Sequence, residues 1–185
     1  MKKSQIPTDV LKYELRKLQI KVAEESRSSY LTFVKKVWPD FIAGSHHKIF
    51  AQKLEDVSRG KIKRLIVNMP PRHTKSEFAS NLFPAWMMGR NPKLKIIQTT
   101  HTAELSYNFG RKVRNLFDQQ EFKDVFPDVS LSQDSKAAGR FTTNKGGEYF
   151  AAGVGGAITG RGADLLIIDD PHSEQDALSQ TAMDN

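Results

Sequence analysis

Ile62-Lys63-Arg64-Leu65-Ile66-Val67-Asn68-Met69-Pro70-Pro71-Arg72-His73-Thr74-Lys75-Ser76 is the stretch on which the reading of this chain turns. Leu65, Ile66 and Val67 form a short apolar run that reads as a buried strand, and Pro70-Pro71 ends it. A basic loop follows. Lys75-Ser76 then opens a segment in which Phe78, Leu82 and Trp86 recur at helical spacing. Strand, tight basic loop, Lys-Ser and helix make the layout of a phosphate-binding loop. Backbone N–H groups and the positive helix N-terminus face an anion, the lysine reaches the β- and γ-phosphates, and the hydroxyl holds Mg²⁺. The usual pattern has glycine at its first and sixth positions, where this chain has Met69 and Thr74. Read alone, the stretch also fits an αβ connection that merely carries Lys-Ser.

The chain has 185 residues, which suggests one domain with at most a short appendage. With 38% hydrophobic and 26% charged residues a packed core is feasible. The formal charge of +7 favours an anionic partner such as nucleotide or nucleic acid, although many proteins carry such an excess. The absence of cysteine excludes disulfides, thiolate catalysis and cysteine-based zinc sites. No apolar run has membrane-spanning length, and Met1 to Pro7 lacks the apolar stretch of a signal peptide. The expected compartment is the cytoplasm.

Residues 8–26 read as an amphipathic helix with Leu11, Leu15, Leu18 and Val22 on one face. A second short helix carries Tyr30, Leu31, Val34 and Val37 and ends at Trp38-Pro39. Packing on the core is the expected use of both stripes, with a coiled-coil-like partner surface as the alternative. Ser45 is placed to cap a third helix that turns Ile49, Phe50, Leu54 and Val57 inward and stops at Gly60. His46 and His47 fall in its first turn. No further ligands at metal spacing lie nearby, which favours surface or nucleotide-contacting histidines.

After the loop, Pro84 implies a kink in its helix. Leu94 to Thr100 reads as a strand, and Leu105, Phe109, Val113, Leu116 and Phe117 mark one face of the next helix. The other face carries Arg111, Lys112 and Arg114, a nucleic-acid contact or, more commonly, a solvated basic face. Residues 120–139 are poorly patterned and read as a short helical turn followed by a loop. Residues 141–150 read as a hairpin turning at Asn144-Lys145-Gly146-Gly147. The glycine run from Gly153 to Gly162 has the wrong spacing for a dinucleotide fingerprint and precedes a strand instead of following one. A polar, helix-like tail runs from Glu174 to Asn185.

That strand is Ala163-Asp164-Leu165-Leu166-Ile167-Ile168-Asp169-Asp170. Four successive apolar residues suggest burial on both faces, as in a parallel sheet between helices. The strand ends in two carboxylates, at the end of an α/β sheet where ligands bind. This is the form of a Walker B strand, with one carboxylate for the magnesium shell and the next to orient the attacking water. Lys75-Ser76 and Asp169-Asp170 together indicate an ATP-binding α/β domain of three layers.

Three blocks in order carry a family likeness: Pro70 to Ser76, Gly153 to Asp164, and Leu165 to Pro171. With Leu105, Gly110, Arg111, Val113 and Arg114 they resemble the large terminase subunit of tailed bacteriophages and prophages, over nearly all of the chain from about Phe41 onward. The resemblance implies a three-layer P-loop NTPase of the ASCE type, with a mostly parallel sheet and an N-terminal helical lead-in. It implies a helical segment at 1–40 and an ATPase domain at 41–185. It implies hydrolysis of Mg-ATP to drive double-stranded DNA into a procapsid, in the host cytoplasm and transiently at the portal vertex, with no membrane. The implied partners are DNA, the portal protein, the small terminase subunit and further copies in a ring.

By that resemblance Pro71, Arg72, His73, Thr74, Lys75 and Ser76 form the nucleotide loop, and Lys75 contacts the β- and γ-phosphates. Ser76 and Asp169 hold Mg²⁺, Arg72 senses the γ-phosphate, and Asp170 is the catalytic carboxylate where the family more often has Glu. Arg161 matches a position that acts in trans on a neighbouring subunit's ATP, a role that contributes about 10³-fold or more in rate. The bland alternative for Arg161 is a charge that anchors the glycine loop. Thr74 departs from the family's glycine. The family continues into a coupling motif and an RNase H-like nuclease domain, which residues 1–185 do not contain, so nuclease activity is not expected from them. The competing readings are a nucleotide- or DNA-binding assembly module without turnover, a helicase-like ATPase, and, more weakly, a small-molecule P-loop kinase.

Overall fold

A computed structural model describes residues 8–156 and 158–172. Three helices come first: α1 (Thr8–Ser28), α2 (Tyr30–Val37) and α3 (Ser45–Ser58). A π-helical turn, Glu77–Leu82, runs directly into α4 (Phe83–Arg90). Then follow β1 (Lys95–Thr100), α5 (Ala103–Leu116), α6 (Gln120–Val125), β2 (Leu131–Ala137), β3 (Arg140–Thr143), β4 (Glu148–Gly153) and β5 (Leu165–Ile168). The five strands form one sheet in the order β2-β3-β4-β1-β5.

The fold is α/β, but the sheet is mixed where a mostly parallel one is expected. β1 is parallel to both β4 and β5, while β3 is antiparallel to β2 and β4. The short turns at Ala138-Gly139 and Asn144–Gly147 allow only antiparallel return, because a parallel partner needs a longer crossover. α5 packs on β1 and β4 and supplies that crossover. The α5–sheet approach is close at Gly110, where a Cβ would lie 2.1 Å from the Ala138 carbonyl oxygen.

The apolar core joins the helical lead-in to the sheet. Tyr30, Phe33, Phe50, Phe78, Phe83 and Trp86 are buried together with Phe141 and Tyr149 of the hairpin. Phe78 sits at its centre, in ring contact with Tyr30, Phe41, His47 and Phe50. Tyr30 is bonded at both its side chain and its backbone: the hydroxyl donates to the Phe78 carbonyl at 2.6 Å, and the N–H donates to Glu55 Oε1 at 2.8 Å. Burial pushes the Tyr30 phenol well above the ordinary tyrosine value, with the Glu77 charge adding to it. The Trp86 indole donates to the Ser26 carbonyl at 2.8 Å.

Several expectations are corrected. Residues 62–69 form no strand, and among the described residues none of 63–73 makes a backbone–backbone hydrogen bond. The segment still alternates, with Leu65, Val67 and Met69 against the core and Ile66 87% exposed. The side-chain pattern of an extended chain is present without a neighbour to pair with. β5 is an edge strand, so Leu166 and Ile168 are more than half exposed instead of buried on both faces. On α1 only Ala23 and Ser26 are buried, and Leu11, Leu15 and Leu18 face away from the core. Ile49 is likewise exposed, and the N-cap of α3 is Gly44, not Ser45.

The unpatterned 120–139 region contains α6 and also β2. Pro84 lies in the first turn of α4, just after the π-helical turn. There the Phe83 N–H bonds the Phe78 carbonyl five residues back, and this register change comes where a proline has no N–H to give. The Glu174–Asn185 tail lies outside the described residues. Among the described residues no helix is long and apolar enough to cross a membrane.

Phe78→Ala should lower the unfolding free energy in urea by about 3–5 kcal/mol, because it leaves a cavity among aromatic rings. Leu15→Ser should change it by less than about 0.5 kcal/mol. A large loss at Leu15 would mean that the α1 stripe is covered by something.

Candidate nucleotide site

The candidate site lies at the carboxyl end of β1 and β5, where Asp169 and Asp170 follow the last residue of β5. Asp169 is held on the β1 side by its N–H donating to the Thr99 carbonyl at 3.0 Å. The Asp170 carbonyl accepts from the His101 N–H at 3.2 Å. The basic loop arrives from the other side. Lys75 Nζ stands 2.5 Å from Asp170 Oδ1 and 3.5 Å from Asp169 Oδ1. Burial alone would push the Lys75 ammonium down, but the two carboxylates outweigh it and hold it above the usual lysine value. Asp169 is buried and Asp170 exposed, so the pair presents one fixed and one accessible carboxylate.

Backbone strain concentrates here. Among the described residues the non-glycine positions with positive φ are Arg72 (63°), Thr74 (61°) and Asp170 (46°). Two flank His73 in the loop, and the third faces Lys75 across the site. Such conformations are sparsely populated and persist where the surroundings over-determine them, typically at ligand-binding positions. His73 Nδ1–H donates to the Pro71 carbonyl at 2.9 Å and tightens the loop from within.

Lys75, Asp169 and Asp170 thus come together. Ser76 lies at the start of the π-helical turn, where its side chain makes no capping bond. Pro71, Arg72 and His73 are exposed along the rim. Arg161 does not join them. It sits at the amino end of the parallel strands, its guanidinium 3.0 Å from Glu148 Oε1 and 3.9 Å from the centroid of the Phe150 ring. Lys112 of the basic α5 face is paired with Glu77 at 3.1 Å.

Three features escape a motif-based reading. Ser80 Oγ donates to Asp169 Oδ2 at 2.8 Å, and both groups are buried. Ser80 is four residues beyond Ser76, so helical spacing is the signal that could have found it. His47 is not at the surface: it is 6% exposed, and its Nε2 lies 2.7 Å from Thr74 Oγ1. Thr99 Oγ1 and His101 Nδ1 are buried without a hydrogen-bond partner, on either side of Thr100 at the end of β1.

The oxygen donors fit a hard divalent ion shared with phosphates. Mg²⁺ takes one or two carboxylates and fills the rest of its shell with water and phosphate oxygens. Asp169 and Asp170 are carboxylates of that kind, and Ser76, whose side chain makes no capping bond, is the loop's hydroxyl donor next to Lys75 in sequence. Among the described residues no three His, Cys, Asp or Glu side chains gather as a self-sufficient metal cage. Comparison with family models, curated proteins and solved structures finds no match to the chain.

Ser80→Ala strips a hydrogen bond from a buried carboxylate and should cost about 1–3 kcal/mol in urea unfolding; an unchanged midpoint would show that Asp169 repartners. A second outcome concerns pH. Burial, and then the neighbouring His46 and His73 imidazoles, hold His47 below the ordinary histidine value. The neutral ring therefore supports the folded state fully above about pH 6.5, and that support is lost as pH falls from there through the folded value. Wild-type stability should drop more steeply between about pH 7 and pH 5 than that of His47→Gln. Parallel curves would exclude this linkage.

Proposed function

We propose that this chain is a P-loop ATPase domain that hydrolyses Mg-ATP, of the kind that drives double-stranded DNA into a phage capsid. The observation that carries the proposal is the meeting of Lys75, on a loop strained at Arg72 and Thr74, with the Asp169-Asp170 pair at the carboxyl end of β5. Lysine, hydroxyl and paired carboxylates on one side of an α/β sheet are the parts phosphoryl transfer requires, since its catalysis is mostly positioning and charge stabilisation. The likeness of Pro70 to Ser76, Gly153 to Asp164 and Leu165 to Pro171 to the terminase large subunit supports the choice of motor.

In this reading Lys75 leaves the two carboxylates for the β- and γ-phosphates when nucleotide binds. Ser76 and Asp169 would hold Mg²⁺, which neutralises charge developing on the transferred phosphoryl group. Asp170, exposed and released from Lys75, orients the attacking water and accepts its proton. Arg72 lies on the rim, where it can meet the γ-phosphate. Arg161 is remote from its own chain's Lys75, so any action on ATP is on a neighbour's, within a ring. Double-stranded DNA, the portal protein and the small terminase subunit are the partners this reading names.

One observation favours a second reading, a nucleotide-binding module without turnover. Asp170 is engaged by Lys75 at 2.5 Å, and its side chain is shorter than the glutamate usual at that place.

The test is to measure Mg-ATP binding with a fluorescent analogue and phosphate release in parallel, with and without double-stranded DNA. Turnover should appear, rise with DNA, and fall about 10²-fold or more in Lys75→Ala and in Asp170→Asn. Binding with no phosphate release supports the module, and no binding at all defeats both readings.

A further inference from the structure

Thr74 stands where a phosphate-binding loop usually has glycine, and its φ of 61° lies in the left-handed region. A β-branched residue is a marked outlier there, so something must hold it. The hydrogen bonds around His47 show what does. The Gly44 N–H is 2.9 Å from His47 Nδ1, and a backbone amide can only donate. Nδ1 is therefore the acceptor, and the neutral imidazole carries its proton on Nε2. Nε2 is 2.7 Å from Thr74 Oγ1, which accepts it. The threonine hydroxyl then spends its own proton on the His73 carbonyl, 2.6 Å away. Each donor in this relay faces an acceptor, and its direction is set by the amide at its start.

The imidazole itself is fixed. It occupies the third position of α3 and reaches back to the N-cap amide, as a glutamate or glutamine does in a capping box. Its ring packs on Phe41 at 4.7 Å and Phe78 at 5.1 Å between centroids. The His46 ring lies 3.8 Å from it, and the loop's own His73 lies 5.7 Å from His46. One residue beyond Thr74, Lys75 reaches the carboxylates.

We infer that His47 is a positioning residue for the phosphate loop: its Nε2–H pins Thr74 in the left-handed conformation, doing by a hydrogen bond what glycine does by lacking a side chain. Lys75 is thereby aimed at its anion without a flexible residue before it. The inference rests on the phosphate-binding reading proposed above. It makes position 74 and position 47 a matched pair: threonine requires the histidine, and glycine does not.

Three variants isolate the bond. His47→Phe keeps a ring between Phe41 and Phe78 but removes both nitrogens. His47→Gln places an amide N–H near the Nε2 position. Thr74→Gly removes the group that needs holding. Mg-ATP dissociation constants should weaken about tenfold in His47→Phe and stay within about twofold in His47→Gln. In the Thr74→Gly background, His47→Phe should have no further effect. Urea unfolding of each variant shows whether the fold has survived.

The ¹⁵N chemical shifts of His47, read without nucleotide, should report the Nε2–H tautomer. ATP binding that is equal in wild type and His47→Phe, a loss in His47→Phe that persists in the Thr74→Gly background, or an Nδ1–H tautomer overturns the inference and leaves the ATPase reading standing. A folded wild-type chain that binds no Mg-ATP overturns that reading and the inference with it.

Discussion

The placement of Lys75 between Asp169 and Asp170 ties the two halves of the candidate site together. The segment before the loop contributes no backbone bond to the sheet, so side chains hold it there. Leu65, Val67 and Met69 lie against the core, and Lys75 closes onto the end of β5. One buried contact backs this exposed one: Ser80, a turn further on, bonds the second oxygen of Asp169. A lysine between carboxylates in a half-wet site is worth little by itself. Its importance is geometric, since it sets the distance between the loop and the strand end that carries Asp169 and Asp170.

The core explains why the loop can be strained at all. Left-handed conformations at Arg72 and Thr74 cost free energy that the loop's own contacts would not offset. Phe78, four residues after Thr74, is completely buried among aromatic rings from α2 and α3, and its N–H bonds the Thr74 carbonyl at 2.9 Å. From the other side His47, anchored on the same Phe78 ring, holds the Thr74 hydroxyl. Thr74 is therefore gripped at both its backbone and its side chain by groups seated in one rigid cluster. The helical lead-in is part of this arrangement, because Tyr30 of α2 packs on Phe78 and bonds its carbonyl.

What could be read from the sequence follows the range of each interaction. β1, the β3–β4 hairpin and β5 announce themselves through apolar runs and turn residues, which are local signals. The pairing of Lys75 with Asp169-Asp170 is legible because a Lys-Ser loop and a strand that ends in two carboxylates have a known chemical relation. β2 was not, since Leu-Ser-Gln-Asp-Ser-Lys-Ala has no apolar alternation and owes its strand to the partner that a two-residue turn brings alongside. The α1 stripe shows the opposite failure: periodicity describes which residues share a face, not what that face meets. His47 was hidden because its role depends on Thr74, 27 residues away, and nothing in either neighbourhood marks the other.

The edge of the sheet bears on how such a site can move. β5 pairs with β1 on one side only, and its outward residues Leu166 and Ile168 are exposed. The segment that leads into the loop has the alternation of a strand but, among the described residues, no ladder. A loop joined to a sheet by a backbone ladder shifts only by breaking several cooperative bonds. This loop is joined by Lys75, Ser80 and His47, and the first of these contacts is the one that phosphate would compete for. In the proposed ATPase reading, replacing Asp170 by phosphate as the partner of Lys75 would therefore free the Asp170 carboxylate while the buried Ser80–Asp169 bond keeps the helix start in register. Loading the site and arming it would then be the same exchange of partners.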